Sequence, residues 1–388
     1  MIKDRLHSKL KDVGTSIFTE MSALSNQYGA LNLSQGFPEF DAPEQLKENV
    51  LSAIKEGLNQ YAPSTGLPIL NEQIAKLVER KYQSSLNPAD NITVTSGATE
   101  ALFVAIQAIV KQGDEVIVFD PAYDSYEPAV NLAGGTCIHV PLSAPLYSVD
   151  WEVVGSKINS RTCLIIINSP HNPTGTLLSS EDMEILQELV IQNNLYLLSD
   201  EVYEFITFDD RQHESVHRYP ELFARSFIVS SFGKTFHCTG WKLGYCCAPG
   251  ELTNEFRKIH QFVTFSSFTP AQAGVAKMLN QLPEHIDQLP LFYQQKRDFL
   301  ANALRESQLD ILTSEGTYFM LIDYSQVSDL QDVDFCHWLT KEKGIAAIPL
   351  SPFYAKSERA NYQAKVVRLC FAKSEATLAQ AAEILSQL

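Results

Sequence analysis

The chain has 388 residues, of which 45% are hydrophobic and 10% aromatic, so it is long and apolar enough to build two domains. Its 46 acidic and 30 basic side chains give a formal net charge of -16, which disfavours binding to nucleic acids or to anionic membranes. The seven cysteines are scattered and form no C-x-x-C pair, so we predict neither disulfides nor a metal site. Residues 1–14 lack the apolar segment of a signal peptide, and no run is long enough to span a bilayer, so we expect a cytoplasmic protein.

Between about residues 90 and 250, short apolar runs alternate with amphipathic stretches. Strands are predicted at 92–95, 115–119, 136–140, 163–167, 195–198, 226–230 and 243–246. One helix is predicted at 98–111, and another begins after Ser179 with Met183, Leu186 and Leu189 or Val190 on its apolar face. Strands that alternate with helices predict an α/β domain with a largely parallel sheet.

The pattern changes after about residue 285. A long helix is predicted through Phe292, Phe299 and Leu304, then strands at 318–322, 346–348 and 366–370, and a final helix from about Ser374. This order predicts a second, smaller α+β domain. We therefore expect an N-terminal arm at 1–40 that contributes to the small domain, a large domain at 41–284 and the small domain at 285–388.

Polar or glycine-containing segments follow the predicted strands of the large domain. These segments are 96–99, 120–123, 168–175, 200–203 and 230–234. In an open parallel sheet the ligand lies beyond the carboxyl ends of the strands. The sequence therefore predicts that these segments meet at one edge and form a single site.

Lys234 stands in a Gly-Lys-Thr triplet, which also ends the phosphate-binding loop of many nucleotide-binding proteins. That loop needs a glycine five places before Gly233, where this chain has Ile228 within an apolar strand. We therefore exclude a nucleotide-binding loop. Two interpretations remain for Lys234 alone: an ordinary surface lysine, or a buried amine whose lowered pKa makes it a nucleophile.

The residues around Lys234 favour the second interpretation. Ser231-x-x-Lys234, followed by Gly240-Trp-Lys-Leu-Gly, resembles the cofactor-lysine signature of the class I/II aminotransferases, which are pyridoxal phosphate enzymes of fold type I. Further motifs of that family occur in its order and approximate spacing: Asn59-Gln-Tyr61, Ser96-Gly-Ala-Thr99, Asn168-Ser-Pro-His-Asn172-Pro-Thr-Gly175, Asp200-Glu-Val-Tyr203 and Val367-Arg368-Leu369. The resemblance covers roughly residues 15–385, and Gly-Trp-Lys-x-Gly is typical of the kynurenine, glutamine and methionine aminotransferase subgroup. It implies a large domain with a mostly parallel mixed sheet between helices, which binds the cofactor, and a smaller α+β domain.

The resemblance also implies the cofactor and its contacts. Pyridoxal 5'-phosphate is expected as a Schiff base on Lys234, with Asp200 facing its ring nitrogen so that the ring stays protonated and accepts electrons. Asn172 and Tyr203 are expected to bind the ring oxygen, and Tyr123 to stack on the ring. With Lys234 as base, Asp200 and Tyr203 are the other expected catalytic residues.

The phosphate of the cofactor is expected at the amino end of the helix that begins near residue 98, where backbone N–H groups point outward. The expected phosphate ligands are Gly97, Ala98, Thr99, Ser231, Lys242 and Tyr61, the last from the partner subunit of a homodimer. Many family members have arginine where this chain has Lys242. Because lysine is a point charge without the arginine fork, phosphate binding should survive with altered geometry.

Arg368 resembles the arginine that binds the substrate α-carboxylate, a group that its planar fork of donors matches. Asn172 and the backbone of Gly36 are expected to assist, and Phe18 to line the substrate. A donor with an acidic side chain would need a second cation, which the matched motifs lack. We therefore expect methionine, followed by phenylalanine, tyrosine, glutamine, histidine or kynurenine, to give its amino group to a 2-oxo acid by ping-pong kinetics.

Two other functions use the same fold. A cysteine-conjugate β-lyase passes through the same carbanion at Cα, so the lysine alone does not separate it from an aminotransferase. A non-catalytic regulator of this fold typically carries a DNA-binding module. This chain has no spare segment or basic recognition helix for one, and its acidic surface also disfavours that function.

Overall fold

The structure, a computed structural model, describes residues 7–11, 13–359 and 362–388. Residues 1–6 and 12 lie outside these ranges. They belong to the predicted N-terminal arm and to the segment 1–14 that was considered above for a signal peptide. The described strands are β1 (Leu31–Asn32), β2 (Ile92–Thr95), β3 (Glu115–Asp120), β4 (Thr136–Pro141), β5 (Thr162–Asn168), β6 (Tyr196–Asp200), β7 (Ser226–Ser231), β8 (Gly244–Cys247), β9 (Asp310–Ile311), β10 (Phe319–Asp323), β11 (Ile345–Ala346), β12 (Ile348–Pro349) and β13 (Val366–Cys370). Every strand predicted between residues 90 and 250 is present, with ends that differ by at most two residues.

The α-helices surround and connect these strands. They are α1 (Ile17–Tyr28), α2 (Glu44–Lys55), α3 (Pro68–Tyr82), α4 (Ala98–Ile109), α5 (Tyr126–Ala133), α6 (Trp151–Lys157), α7 (Ser180–Gln192), α8 (Pro220–Phe223), α9 (Phe232–Thr235), α10 (Gly250–Val263), α11 (Thr269–Gln281), α12 (Glu284–Leu304), α13 (Asp332–Glu342), α14 (Lys356–Arg359) and α15 (Glu375–Leu385). Ser179 caps α7 as predicted, and Asp182 completes a reciprocal capping box with it. The helices within the described ranges include none that is long and apolar enough to cross a membrane.

The large sheet has the strand order β2-β8-β7-β6-β5-β3-β4. Strand β8 pairs antiparallel with β2 and β7, whereas the pairs from β7 through β6, β5 and β3 to β4 are parallel. All strands but β8 therefore run in one direction, and the amino end of β8 lies among the carboxyl ends of the others. As a result Lys242 and Leu243, which precede β8, reach the same edge as the segments that follow the parallel strands.

Both faces of the large sheet are buried, as expected for a mostly parallel sheet. On β5, Leu164 and Ile166 pack into one apolar cluster together with Leu102 of α4, whereas Ile165 and Ile167 pack into a second cluster on the other face. Burying each such side chain contributes roughly 1.5–3 kcal/mol. The continuous apolar run of β5 thus anchors helices on both sides and confirms the predicted α/β architecture.

A second sheet of four antiparallel strands, in the order β12-β13-β10-β9, lies in the C-terminal part of the chain. Helix α12 packs on α15, and α1 of the N-terminal segment packs on α13, β11 and β12. The contact of α1 with these elements is in keeping with an arm that joins the small domain. The exact domain boundaries stay a prediction.

The single strand predicted at 346–348 is wrong, because the chain changes sheets there. Ile345 and Ala346 form β11 and pair parallel with β1, whereas Ile348 pairs with Arg368 of β13 in the antiparallel sheet. Ala347 lies between the two ladders. A short apolar run does not show that its two halves have different partners.

Candidate active site

The edge formed by the carboxyl ends of β2, β3, β5, β6 and β7 contains a cavity of about 170 Å³. The strand ends bring together most of the side chains that the sequence singles out. Predicted site residues that line this cavity are Gly97, Ala98, Thr99, Tyr123, Asn172, Asp200, Tyr203, Ser231, Lys234 and Lys242. The predicted convergence of the strand exits is therefore confirmed.

Lys234 lies in the short helix α9, directly after β7, so the strand end brings its amine into the cavity. Its Nζ donates to the hydroxyl of Tyr318 at 2.7 Å and to the carbonyl of Gly36 at 3.3 Å. No carboxylate in the described ranges forms an ion pair with this amine. Burial lowers the pKa of Lys234 to about 8, so roughly a tenth of the amine is in the nucleophilic free-base form at neutral pH, far more than for an exposed lysine.

Asp200 ends β6 and is 3% exposed. Its Oδ2 accepts a hydrogen bond from the Tyr126 hydroxyl at 2.6 Å. Burial raises the pKa of Asp200 to about 6, because no cation of the described residues forms an ion pair with it. A buried carboxylate without an ion-paired cation is stabilised by a cationic partner, which the protonated ring nitrogen of a cofactor would supply.

Arg368 lies in β13 between β10 and β12 and is 1% exposed, so it is neither on the surface nor on an edge strand. Its Nη1 donates to Asn172 Oδ1 at 2.6 Å and its Nη2 to the Ser34 carbonyl at 3.2 Å. The described residues offer no acceptor to Nε. Burial lowers the pKa of Arg368 to about 10, yet the guanidinium remains charged near neutrality. A buried cation with an unused donor, and with no carboxylate of the described residues in an ion pair with it, fits a ligand carboxylate.

The other end of the cavity is formed by the amino end of α4 and by Lys242. Gly97 has φ +77° and caps α4 without a side-chain hydrogen bond, so the amides of Ala98 and Thr99 are left without intrahelical acceptors. A Cβ placed on Gly97 would lie 3.4 Å from Lys242 Nζ, which shows how near this ammonium is to the helix end. Helix N–H groups beside an ammonium form a site for a small anion.

Besides Arg368, three predicted residues lie outside the lining of this cavity. Tyr61 is 81% exposed and its ring packs on Phe265 with the centroids 5.2 Å apart, so within one chain it does not reach the site. The Phe18 ring centroid lies 5.4 Å from the Arg368 guanidinium carbon. Gly36 uses its carbonyl to bind Lys234, and a Cβ added to it would lie 2.9 Å from the ring of Phe319. A larger residue at position 36 would therefore clash with the ring of Phe319.

Tyr126, Asn168 and Tyr318 join the site although the sequence predicts no individual role for them; of the three, only Asn168 lies in a segment predicted to form the site. Tyr126 binds Asp200, and Asn168 Oδ1 accepts from the backbone N–H of Asn172 at 2.8 Å. Tyr318 precedes β10 and reaches Lys234 from the second sheet. In the sequence, only their polar side chains and their position within or next to a family motif indicate that they could belong to the site. The partner of each hydroxyl or amide depends on tertiary contacts.

Comparisons with known proteins agree with this geometry. Residues 28–385 match the sequence profile of the family described as aminotransferase class I and II. The chain is 52% identical to the methionine aminotransferase of Escherichia coli strain K12 over 381 residues, which covers 98% of both sequences. It is 34% identical to human kynurenine–oxoglutarate transaminase 3, covering 97% of this chain and 89% of that protein.

A crystal structure of YbdL from Escherichia coli, described as identifying a methionine aminotransferase function, superposes with a TM-score of 0.96 at 52% identity. It covers 99% of both chains. The match of the family profile spans the strands, the Lys234 segment and the Arg368 strand alike. The chain therefore belongs to the class I and II aminotransferase family.

Proposed function

We propose that this protein is a pyridoxal-phosphate-dependent aminotransferase that moves the amino group of methionine, or of another neutral or aromatic amino acid, to a 2-oxo acid. The observation that carries the proposal is the arrangement of Lys234, Asp200 and Arg368 around one cavity and its border. The low pKa of the Lys234 amine suits a nucleophile and base, the raised pKa of Asp200 suits a carboxylate that awaits a cation, and the buried Arg368 suits a carboxylate ligand.

The residues present fit pyridoxal phosphate. Lys234 would hold it covalently, Asp200 would pair with its ring nitrogen, and Tyr123 would lie against its ring. Tyr203 and the amide NH2 group of Asn172 would donate to its ring oxygen, because the Asn172 carbonyl oxygen already accepts from Arg368. When bound, this cofactor supplies the electron sink that makes the donor Cα–H acidic.

The phosphate would bind at the amino end of α4. The amides of Ala98 and Thr99, the close backbone of Gly97, the hydroxyl of Ser231 and the ammonium of Lys242 all border this part of the cavity. Lys242 has φ +52°, so its backbone turns sharply just before β8 and carries the side chain towards Gly97. This supports a direct charge contact from Lys242 in place of an arginine fork.

The protein groups act on the donor in two ways. Arg368 binds the α-carboxylate and orients the amino acid, and Asn172 holds Arg368 in place. The free Lys234 amine would take the proton from the donor Cα, hold it as an ammonium and later give it back, while a bound cofactor would supply the electron sink. Because the two half-reactions share one site, we expect ping-pong kinetics.

The surroundings of Arg368 support neutral or aromatic donors. The rings of Phe319, Phe18 and Phe353 have their centroids 3.8, 5.4 and 5.5 Å from its guanidinium carbon. An apolar side chain such as that of methionine gains from burial against such rings, whereas an unpaired carboxylate loses its hydration. The relatives named for methionine and kynurenine point in the same direction.

A homodimer with the active site at its interface belongs to the proposal. Four aromatic side chains lie exposed on the chain surface, each more than half exposed: Tyr61, Phe262, Phe265 and Phe268. An exposed apolar patch of this kind is typical of an interface. In a dimer, Tyr61 would be free to reach the phosphate end of the partner's cavity.

The test of the function combines a variant with a donor panel. Lys234→Ala is expected to lose transamination and covalent cofactor attachment, which borohydride reduction and mass spectrometry of the protein detect. Lys258→Ala, at a side chain that is 65% exposed, is the matched control and should keep both. Normal turnover by Lys234→Ala would contradict the proposal.

The donor panel contains methionine, phenylalanine, tyrosine, glutamine, histidine, kynurenine and aspartate, each with several 2-oxo acids. Methionine should give the highest kcat/KM. Aspartate as the best donor would contradict the proposed substrate class. Release of pyruvate from a cysteine conjugate without a 2-oxo acid would instead favour the β-lyase.

A further inference from the structure

The amine of Lys234 is held by two oxygen atoms that are also hydrogen-bonded to each other. Its Nζ lies 2.7 Å from the Tyr318 hydroxyl oxygen and 3.3 Å from the Gly36 carbonyl oxygen. The Tyr318 hydroxyl in turn lies 2.6 Å from the same carbonyl. The carbonyl can only accept, so the hydroxyl proton of Tyr318 is directed to Gly36.

This direction decides what Tyr318 can offer to Lys234. Because its single proton is donated to Gly36, the hydroxyl can only accept from the amine. An amine that donates one N–H to Tyr318 keeps its lone pair free. A free lone pair is what the removal of a proton from carbon requires.

The Tyr318 side chain is fixed and neutral. It is 0% exposed and packs between Tyr203 and Tyr293, whose ring centroids lie 5.1 and 5.7 Å away. The backbone carbonyl of Tyr318 accepts from the Phe371 N–H at 3.0 Å, which ties it to the strand that carries Arg368. Burial raises the pKa of Tyr318 well above its ordinary value, so the hydroxyl stays protonated.

We propose that Tyr318 is a positioning residue of the transamination, because its hydroxyl oxygen holds the Lys234 amine in place whenever that amine is not bonded to the cofactor. This inference rests on the proposed function. In the step concerned, the Lys234 lone pair takes the proton of the donor Cα–H and the electron pair of that bond stays with the substrate. The new ammonium keeps its N–H bond to Tyr318, and Tyr318 neither gains nor loses a proton.

The variant Tyr318→Phe removes the hydroxyl and keeps the ring. We expect kcat with methionine to fall about tenfold while KM stays within about twofold, since loss of one hydrogen bond to a charged group has about this effect. The kinetic isotope effect of Cα-deuterated methionine should increase, because proton transfer becomes more rate-limiting. If the Tyr318 side chain served only to pack against its neighbours, loss of its hydroxyl would change neither the ratio of kcat to KM nor the isotope effect.

A second measurement needs no turnover. In the cofactor-free protein, reductive methylation of Lys234 at different pH values, followed by mass spectrometry, gives the pKa of its amine. The acceptor on Tyr318 stabilises the ammonium, so Tyr318→Phe should lower this pKa by about one unit, a tenfold change. An unchanged kcat together with an unchanged Lys234 pKa would overturn the inference.

Tyr324→Phe is the matched control, because Tyr324 stands at the opposite end of β10. It is also 0% exposed, and its hydroxyl donates to the Leu330 carbonyl at 2.9 Å. This variant loses an equivalent buried hydrogen bond and should keep kcat, the isotope effect and the Lys234 pKa. Loss of turnover in Tyr324→Phe equal to that in Tyr318→Phe would show a general effect on the fold and would overturn the positioning role.

If Tyr318→Phe does not fold, a titration of the cofactor-free natural protein followed by nuclear magnetic resonance takes the place of the measurements on this variant. With carbon-13 at the tyrosine Cζ atoms, one of the 15 tyrosine signals should titrate together with Lys234 and lose that titration in Lys234→Ala. The signal should persist in Tyr203→Phe. Absence of such a signal would overturn the inference, whereas activity in Lys234→Ala would overturn the transaminase itself.

Discussion

Arg368 Nη1 donates to Asn172 Oδ1 at 2.6 Å and so joins β13 of the four-stranded sheet to the loop that follows β5 of the large sheet. The two residues lie 196 positions apart in the chain. This bond links the group that would bind the substrate carboxylate to the group that would bind the cofactor ring oxygen. The expected substrate and cofactor contacts are thereby joined by one hydrogen bond.

Arg368→Lys should lower kcat/KM for methionine by about tenfold to a hundredfold, mainly through KM. Lysine cannot bind Asn172 and a carboxylate at once through a planar fork, and charge-assisted hydrogen bonds of this kind contribute about 1.5–3 kcal/mol. Steady-state kinetics over a range of donor concentrations measure the change. Arg161→Lys, whose side chain is 66% exposed beside Glu115, is the control and should leave both constants unchanged.

Asp200→Asn should stabilise the cofactor-free protein at pH 8 while it impairs catalysis. Burial raises the pKa of Asp200 from 3.8 to about 6, so the folded state binds a proton more tightly than the unfolded chain does. The free energy of unfolding therefore falls as the pH rises from about 4 to 6, and the loss persists above pH 6. Asparagine avoids this loss, which amounts to about 3 kcal/mol.

Urea unfolding of both cofactor-free proteins at pH 4 and pH 8 measures the difference. The stabilisation by Asp200→Asn should be present at pH 8 and small at pH 4, where the carboxyl group is protonated in the folded protein and only partly ionised in the unfolded chain. A variant that is less stable than the natural protein at pH 8 would contradict this expectation.

Covalent attachment of pyridoxal phosphate to the cofactor-free protein should become faster with rising pH and level off above about pH 8. Only the free base of Lys234 attacks the aldehyde, and burial lowers the pKa of this amine to about 8. Each unit of pH below this value reduces the free-base fraction about tenfold. Rapid mixing followed by borohydride trapping gives the rate. A rate that continues to climb to pH 10 would indicate an ordinary solvent-exposed lysine.

Phe262→Glu should weaken the proposed homodimer. Phe262 is 86% exposed on the single chain and lies in the aromatic patch with Tyr61, so the variant would place an unpaired charge in the interface. Sedimentation at decreasing protein concentration should detect monomers of Phe262→Glu where the natural protein remains dimeric. Leu146→Glu, at a side chain that is 71% exposed in a different loop, should leave the assembly unchanged. Equal dimer stability in the two variants would argue against this interface.

Local patterns of the chain were sufficient for much of the fold. The apolar runs of β3, β5 and β7 are visible in sequence because strands buried on both faces need continuous apolar residues. Ser179 could be recognised as a helix cap because a cap acts within three residues of itself. The same holds for Gly97, whose place between a strand and a helix already indicates an anion site.

Tertiary structure decided which partners those residues have. The reversed direction of β8 brings Lys242 to the active edge, and no residue in β8 itself encodes that pairing. The split of the predicted strand at 346–348 also follows from two different neighbouring strands. Pairing between distant strands depends on the packing of the whole sheet, which local periodicity does not contain.

The chemistry of the site divides in the same way. By itself the sequence predicted Lys234 and Asp200 as catalytic residues and Arg368 as a substrate-binding residue, since each stands in an ordered family motif. Only the folded chain showed that Tyr318 holds the lysine and that Tyr126 holds the aspartate. Burial and hydrogen bonding to such distant side chains set the pKa of each group, and these quantities exist only once the chain is folded.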